Sequence, residues 1–113
     1  MSDDEHYYHA ADLAKFGAIS ENASELGKKF FDWYTAVFAE GALTAREKSL
    51  IALAVAHAVQ CPYCNDAYSR DALEKGADLD QMTEAVHVSA AIRGGASLVH
   101  GVQMRHYVEE LGM

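Results

Sequence analysis

The chain has 113 residues, half of them hydrophobic, which is enough for one compact domain with a core and too few for two. The formal net charge is -8, so nucleic acid and anionic membrane surfaces are not expected partners. Long apolar runs are absent, and the acidic start differs from a secretory signal, which is basic and then apolar. We therefore expect one domain over residues 1–113, located in the cytoplasm.

The spacing of apolar residues predicts helices along most of the chain, and the alternation typical of strands is nearly absent. A polar first segment, about Asp3 to Phe16, is predicted to be a short helix or arm. From roughly Ser24 to Phe38, apolar residues recur at spacings of three and four, which is typical of an amphipathic helix. The predicted fold class is all-α, a helical bundle.

A second strong helix is predicted from Thr44 to about Val59. Thr44 and Glu47 have the spacing of a capping box, in which each side chain accepts a hydrogen bond from the other residue's backbone. The helix body, Leu50 to Ala56, is apolar on all sides. A small domain has few elements to cover such a helix, so we expect a homo-oligomer.

The bounds of the later helices are predicted from residues that typically cap or end a helix. Gly76 is placed to end a helix, and Asp78 or Asp80 to cap the next one. The triplet Arg93-Gly94-Gly95 predicts a break, followed by a last helix from about Ala96 to Leu111.

The two cysteines of the chain, Cys61 and Cys64, flank its one proline, Pro62. Proline favours the first turn of a helix, which places Cys61 near the N-cap. Unpaired N–H groups and the helix dipole stabilise a thiolate at that position, and two thiols at this spacing can close a disulfide. Because static disulfides are rare in a reducing compartment, the pair indicates redox chemistry.

Other interpretations of the cysteine pair remain open. His57 lies four residues before Cys61, so His57, Cys61 and Cys64 could hold zinc or trivalent arsenic, although a fourth ligand is missing at the usual spacing. The thiols could also be inert and buried. The four residues C-P-Y-C resemble a glutaredoxin active site, but that fold needs a preceding strand and a second, cis proline, and the sequence has neither.

A longer stretch resembles the carboxymuconolactone decarboxylase and alkyl hydroperoxidase D superfamily. The resemblance covers roughly half the chain, a core motif region over residues 43–101, and its motifs are Leu43–Glu47, Leu50–Ala56, Cys61–Cys64, Ala72, Gly76–Ala77 and Glu84–Val86. Residues 90–101 look like a peroxidase-like branch associated with arsenosugar biosynthesis. The resemblance implies an all-helical fold, trimers or hexamers, and peroxidase or disulfide-reductase chemistry. We expect no cofactor, and a thiol or disulfide protein as electron donor.

The resemblance also implies roles for site residues: Cys64 attacks the peroxide and Cys61 resolves the sulfenic acid. In the hydroperoxidase pattern E-x11-C-x-x-C-x3-H, this chain has Ser49 in place of glutamate and Tyr68 in place of histidine. His57 and Tyr68 are the candidate replacements for the proton relay. An equally open hypothesis makes His57 a structural histidine bonded to a backbone carbonyl.

The sequence therefore predicts a thiol-dependent oxidoreductase that cycles Cys61 and Cys64 between dithiol and disulfide. The alternative from another class is a binding module that chelates zinc or trivalent arsenic without turnover. A lactone-decarboxylating lyase is a remote third hypothesis, since no feature of the sequence specifies a pocket for a carboxylated lactone.

Overall fold

The computed structural model describes residues 8–112, and it is helical without any strand in that range. The all-α prediction is confirmed. The first five residues of the predicted arm lie outside the described residues; its remainder forms α1 and the start of a 3-10 turn. The elements are α1 (Ala10–Leu13), 3-10 turns at Phe16–Ala18 and Glu21–Ala23, α2 (Ser24–Phe38), α3 (Ala45–Ala58), α4 (Pro62–Glu74) and α5 (Leu79–Glu110).

Helix α3 begins at the predicted capping box. The backbone N–H of Glu47 donates to Thr44 Oγ1 at 3.0 Å, and the N–H of Thr44 donates to Glu47 Oε1 at 2.8 Å. The bond from the Thr44 backbone is the main reason that the pKa of Glu47 lies below its usual value. Glu47 thus acts as a helix cap.

Helices α4 and α5 also begin where the sequence indicates. Cys61 is the N-cap of α4 and Pro62 its first residue. Gly76, just past the end of α4, has a φ of 88°, a left-handed conformation that glycine adopts without steric cost. Asp78, rather than Asp80, caps α5, and the N–H of Gln81 donates to its carboxylate at 2.8 Å.

The predicted break at Arg93-Gly94-Gly95 is wrong, because α5 runs through it as one helix of 32 residues. At about 1.5 Å per residue this helix is roughly 48 Å long. Neither Gly94 nor Gly95 has a positive φ. Glycine inside a helix costs about 1 kcal/mol relative to alanine but ends it only when the backbone turns left-handed, and no proline follows to favour that turn.

The core is small and lies where α3 packs against α4 and α5. Its centre is Leu53, which is 1% exposed, beside short side chains that let the helices approach closely. The other buried positions among residues 8–112 are Gly27, Ser49, Ala56, Ala72, Ala77 and Ser89. Helix α2 is attached at its end, where Lys48 Nζ of α3 donates to the carbonyl of Val37 at 2.7 Å.

A large apolar surface remains uncovered in the single chain. On α5, Ile92, Val99 and Val102 are 70%, 70% and 68% exposed, and their spacing puts them on one side of the helix. On α3, Ile51 and Val55 are about half exposed. Faces of this kind mark protein interfaces, so we propose that a second copy of the chain covers the α5 face.

The α5 face gives a first prediction. Val99→Asp places a charge in the proposed interface and should lower the molar mass measured by light scattering coupled to size exclusion, toward that of a single chain. Lys29→Ala on α2 changes the net charge by the same amount at an exposed position and should leave the mass unchanged. A wild-type protein that elutes as a monomer at micromolar concentration would contradict the proposal.

Candidate functional site

The site is built by the short connection between α3 and α4. Gln60 adopts a φ of 57°, the left-handed conformation that commonly follows the last turn of a helix. The N–H of Cys61 then donates back to the carbonyl of Ala56 at 3.1 Å, and that of Gln60 to His57 at 3.3 Å. This Schellman-type ending turns the chain sharply, so that Cys61 closes α3 and opens α4.

Cys61 and Cys64 are joined in a disulfide, with their Cα atoms 5.2 Å apart. Both residues are half-buried. Cys61 Sγ accepts the backbone N–H of Cys64 at 3.1 Å, the bond that an N-cap side chain normally accepts. Of the two sulfurs, Cys61 Sγ therefore receives the backbone donor of the first helical turn, which stabilises negative charge on it when the disulfide opens.

Two cavities reach the disulfide from different sides. The α3 cavity, of about 550 Å³, is lined by the end of α2, by α3 along most of its length and by α4, with Phe38, Ile51 and Val55 in its walls. The N-terminal cavity, of about 480 Å³, has walls from the segment before α2 and from α4. Cys64 and Tyr68 line both cavities, whereas Cys61 lines only the N-terminal cavity. Cys64 is thus bordered by both cavities and Cys61 by one.

Tyr68, His57 and Ser49, the other residues considered for the site, lie in different surroundings. The ring of Tyr68 stacks on Phe38, with centroids 5.5 Å apart and planes inclined by 20°. His57 Nδ1 lies 2.9 Å from the carbonyl oxygen of Leu53, an arrangement in which Nδ1–H donates and Nε2 is left as the basic nitrogen. His57 lies on neither cavity wall. Ser49 is fully buried, and its hydroxyl donates to the Arg46 carbonyl at 2.6 Å.

The structure adds a pair that the sequence analysis missed, Tyr8 and Asp66. The hydroxyl of Tyr8 donates to Asp66 Oδ2 at 2.7 Å, and the Tyr8 ring meets the ring of Tyr63 edge-on at 4.4 Å. Arg70 Nε donates to the other oxygen of Asp66 at 2.6 Å. Since 58 residues separate the partners, no local pattern in the sequence marks the pair.

The Tyr8–Asp66 bond shifts the pKa of both groups. The bond to the carboxylate raises the pKa of Tyr8 to about 12. The pKa of Asp66 is lowered, first by Tyr8 and then by Arg70, because both donate to the ionised form. The pair therefore stays a phenol and a carboxylate across the neutral range.

Between residues 8 and 112, no group of three or more histidine, cysteine, aspartate and glutamate side chains is arranged to hold a metal ion. In the same range, no helix combines the length and the hydropathy needed to cross a bilayer.

The Tyr8–Asp66 bond gives a prediction about pH. The pKa of Tyr8 is higher in the folded chain than the usual value near 10, so the bond stabilises the fold below about pH 10 and is lost as the pH rises toward 12. At the acid end, its contribution is lost as the pH falls through the lowered pKa of Asp66.

A ¹³C NMR titration of labelled tyrosine side chains measures this directly. Asp66→Asn should bring the Tyr8 pKa back toward 10. A wild-type Tyr8 that already titrates near 10 would show that the bond does not form in solution.

Comparison with known proteins agrees with this architecture. The chain is 37% identical over 98 residues to uncharacterized protein 4 in the cox locus of Paracoccus denitrificans, covering 87% of this chain and 88% of that protein. A crystal structure of a protein from Methanobacterium thermoautotrophicum matches with a TM-score of 0.71 and 36% identity, covering 74% of this chain and 94% of that one. The family model of the carboxymuconolactone decarboxylases matches residues 24–104, which include the cysteine pair and most of the four longer helices. The predicted superfamily is confirmed, and the chain belongs to the carboxymuconolactone decarboxylase family.

Proposed function

We propose that this protein is a thiol-dependent oxidoreductase that reduces hydroperoxides or disulfides by cycling Cys61 and Cys64 between dithiol and disulfide. The observation that carries the proposal is the position of the pair: two half-buried sulfurs within bonding distance at a helix start, beside two cavities. A disulfide that served only to hold the fold together would not need cavities leading to it.

The geometry favours Cys64 as the sulfur that reacts with external molecules. In the oxidative half, the Cys64 thiolate attacks the hydrogen-bearing oxygen of a hydroperoxide and breaks the O–O bond, which gives a sulfenic acid and an alkoxide that is then protonated to the alcohol. Cys61 then attacks Cys64 Sγ, which forms the disulfide and releases water. The N–H of Cys64 stabilises Cys61 as the attacking thiolate in this step.

The hydrogen bond from the Cys64 N–H to Cys61 Sγ also determines which sulfur leaves in the reductive half of the cycle. An incoming thiolate attacks Cys64 Sγ and expels Cys61, because the sulfur whose thiolate is better stabilised is the better leaving group. A second thiol of the donor then displaces Cys64 and leaves the donor as a disulfide. Two electrons pass from the donor to the peroxide in one cycle, without a cofactor.

The proton for the departing alkoxide comes, in this proposal, from Tyr68. Tyr68 borders both cavities together with Cys64, whereas Ser49 is fully buried, lines neither cavity and donates its hydroxyl to the Arg46 carbonyl. A phenol is a donor rather than a base at neutral pH, so its proton must be recovered from water through the open cavities. His57 is the alternative relay residue, through its Nε2.

Single substitutions of the cysteines test the assignment. With cumene hydroperoxide, Cys64→Ser should abolish peroxide consumption, while Cys61→Ser should consume one equivalent and stop at a sulfenic acid that dimedone traps on Cys64. In the same assay Tyr68→Phe should react about 100-fold more slowly, as expected for loss of a general acid, and Tyr107→Phe at the wild-type rate.

Two results would contradict the proposal. Peroxide consumption that survives in Cys64→Ser would remove Cys64 as the nucleophile, and a wild-type protein that consumes neither peroxide nor disulfide would remove the redox function. A loss of rate in His57→Ala together with a normal rate in Tyr68→Phe would move the proton to His57.

The proposal also includes a branch of the family and a cellular location. The resemblance of residues 90–101 supports the arsenosugar-associated branch, and reversible thiol chemistry suits a reducing compartment such as the cytoplasm. The chelating module and the lactone lyase remain alternatives. No arrangement of the described residues favours either of them over the redox cycle.

A further inference from the structure

The segment before α2 forms one wall of the N-terminal cavity. Leu13, Phe16 and Ile19 line this cavity opposite Cys61, Tyr63 and Tyr68. The segment consists of α1 and two short 3-10 turns, and none of its residues from 8 to 23 is buried. This side of the disulfide is therefore covered by a thin layer of chain that contributes no buried residue to the core.

Few contacts hold this wall in place. At its start, Tyr8 is bonded to Asp66 at 2.7 Å and rests on the ring of Tyr63. Further along, the Phe16 ring packs edge-on against Phe31 of α2 at 5.2 Å and against Phe30 and Tyr34 at 6.3 Å, and α1 packs against α4. Ile19, although it borders the cavity, is 73% exposed. Segments with so few buried contacts open at low free-energy cost compared with the whole fold.

The α3 cavity offers a second approach that does not involve this segment. Its walls come from α2, α3, the loop between them and α4, and it reaches Cys64 but not Cys61. A small molecule can reach Cys64 Sγ by this approach while the N-terminal wall stays closed.

A protein thiol meets a different steric requirement. A thiolate must approach the sulfur that it attacks nearly in line with the disulfide bond, and a cysteine side chain is short, so the partner's backbone must come close to the site. The wall faces Cys61, Tyr63 and Cys64 across the N-terminal cavity, so a partner's backbone cannot come close to the disulfide from this side while the wall is in place.

We propose that the segment from Tyr8 to Ile19, held by the Tyr8–Asp66 bond, is a specificity element that admits small thiols and peroxides and restricts protein dithiols until it moves aside. This inference rests on the proposed function. The step that it controls is the reductive one: a partner thiolate bonds to Cys64 Sγ, Cys61 leaves as a thiolate, and the partner's second thiol then releases Cys64, leaving the partner oxidised.

The test compares two reductants on the full-length oxidised protein. Rates of reduction are measured with dithiothreitol, a small dithiol, and with reduced thioredoxin, a protein dithiol, for wild type, Tyr8→Phe and Phe16→Ala. Tyr8→Phe keeps the ring contact with Tyr63 and removes only the bond to Asp66. Tyr107→Phe, which removes a hydroxyl bonded to Gln103 on α5, is the matched control.

We expect Tyr8→Phe and Phe16→Ala to react about 10-fold faster with thioredoxin, which corresponds to losing one hydrogen bond or a comparable contact from the closed state. Their rates with dithiothreitol should stay within about 2-fold of wild type, and Tyr107→Phe should match wild type with both reductants. Thermal melting of each variant shows that the fold is retained, and Phe16→Ala provides an independent perturbation of the wall.

Three outcomes would overturn the inference. Unchanged thioredoxin rates in both wall variants would show that the segment does not limit access. Equal acceleration with both reductants would show that the substitutions act on the disulfide itself. If the wall variants react faster with thioredoxin alone but the protein consumes no peroxide, the peroxidase role is refuted and this inference stands. A wild-type disulfide that neither reductant opens would refute the redox function and this inference together.

Discussion

The site depends on two hydrogen bonds made by one residue, Cys61. Its backbone N–H completes the ending of α3 at Ala56, and its sulfur accepts the first free N–H of α4. The left-handed Gln60 between the helices makes both bonds possible. A single connection therefore fixes the angle between α3 and α4, places the two sulfurs within bonding distance, and makes the two cysteines chemically unequal.

That inequality links the local structure to the proposed cycle. Cys61 has the backbone donor but faces only the N-terminal cavity, whereas Cys64 lacks that donor and faces both cavities. Cys61 is therefore suited to be the leaving group and the resolving thiolate, and Cys64 is suited to react with substrate. The closely packed core of α3, α4 and the start of α5 holds this arrangement, while the N-terminal segment and the α5 face, which lie outside that core, are the surfaces that we propose to meet partners.

The sequence predicted those features that depend on neighbouring residues. The capping box at Thr44, the proline start of α4 and the stripe of α2 arise from interactions within a few residues, which a single sequence displays. The glycine pair at 94 and 95 misled the prediction, since glycine permits a break without causing one. The family resemblance supplied the cysteine roles, which no spacing argument provides.

Other features depended on contacts that the sequence does not display. Gln60 adopts a left-handed backbone, a conformation that the sequence usually marks with glycine. Tyr8 and Asp66 are far apart in the sequence and meet only after the whole chain has folded. His57 bonds to the Leu53 carbonyl and lines neither cavity, and its part in a proton relay stays a prediction.

The most direct test of the account is the reduction potential of the Cys61–Cys64 pair, measured by mass spectrometry of the protein equilibrated in dithiothreitol and glutathione buffers. Because the reduced form gains a thiolate stabilised at a helix start, we predict one two-electron transition with a midpoint more oxidising than about -300 mV, the range of exchangeable rather than structural disulfides. A pair that stays oxidised well below that potential, or that does not close in excess oxidised glutathione, would contradict it.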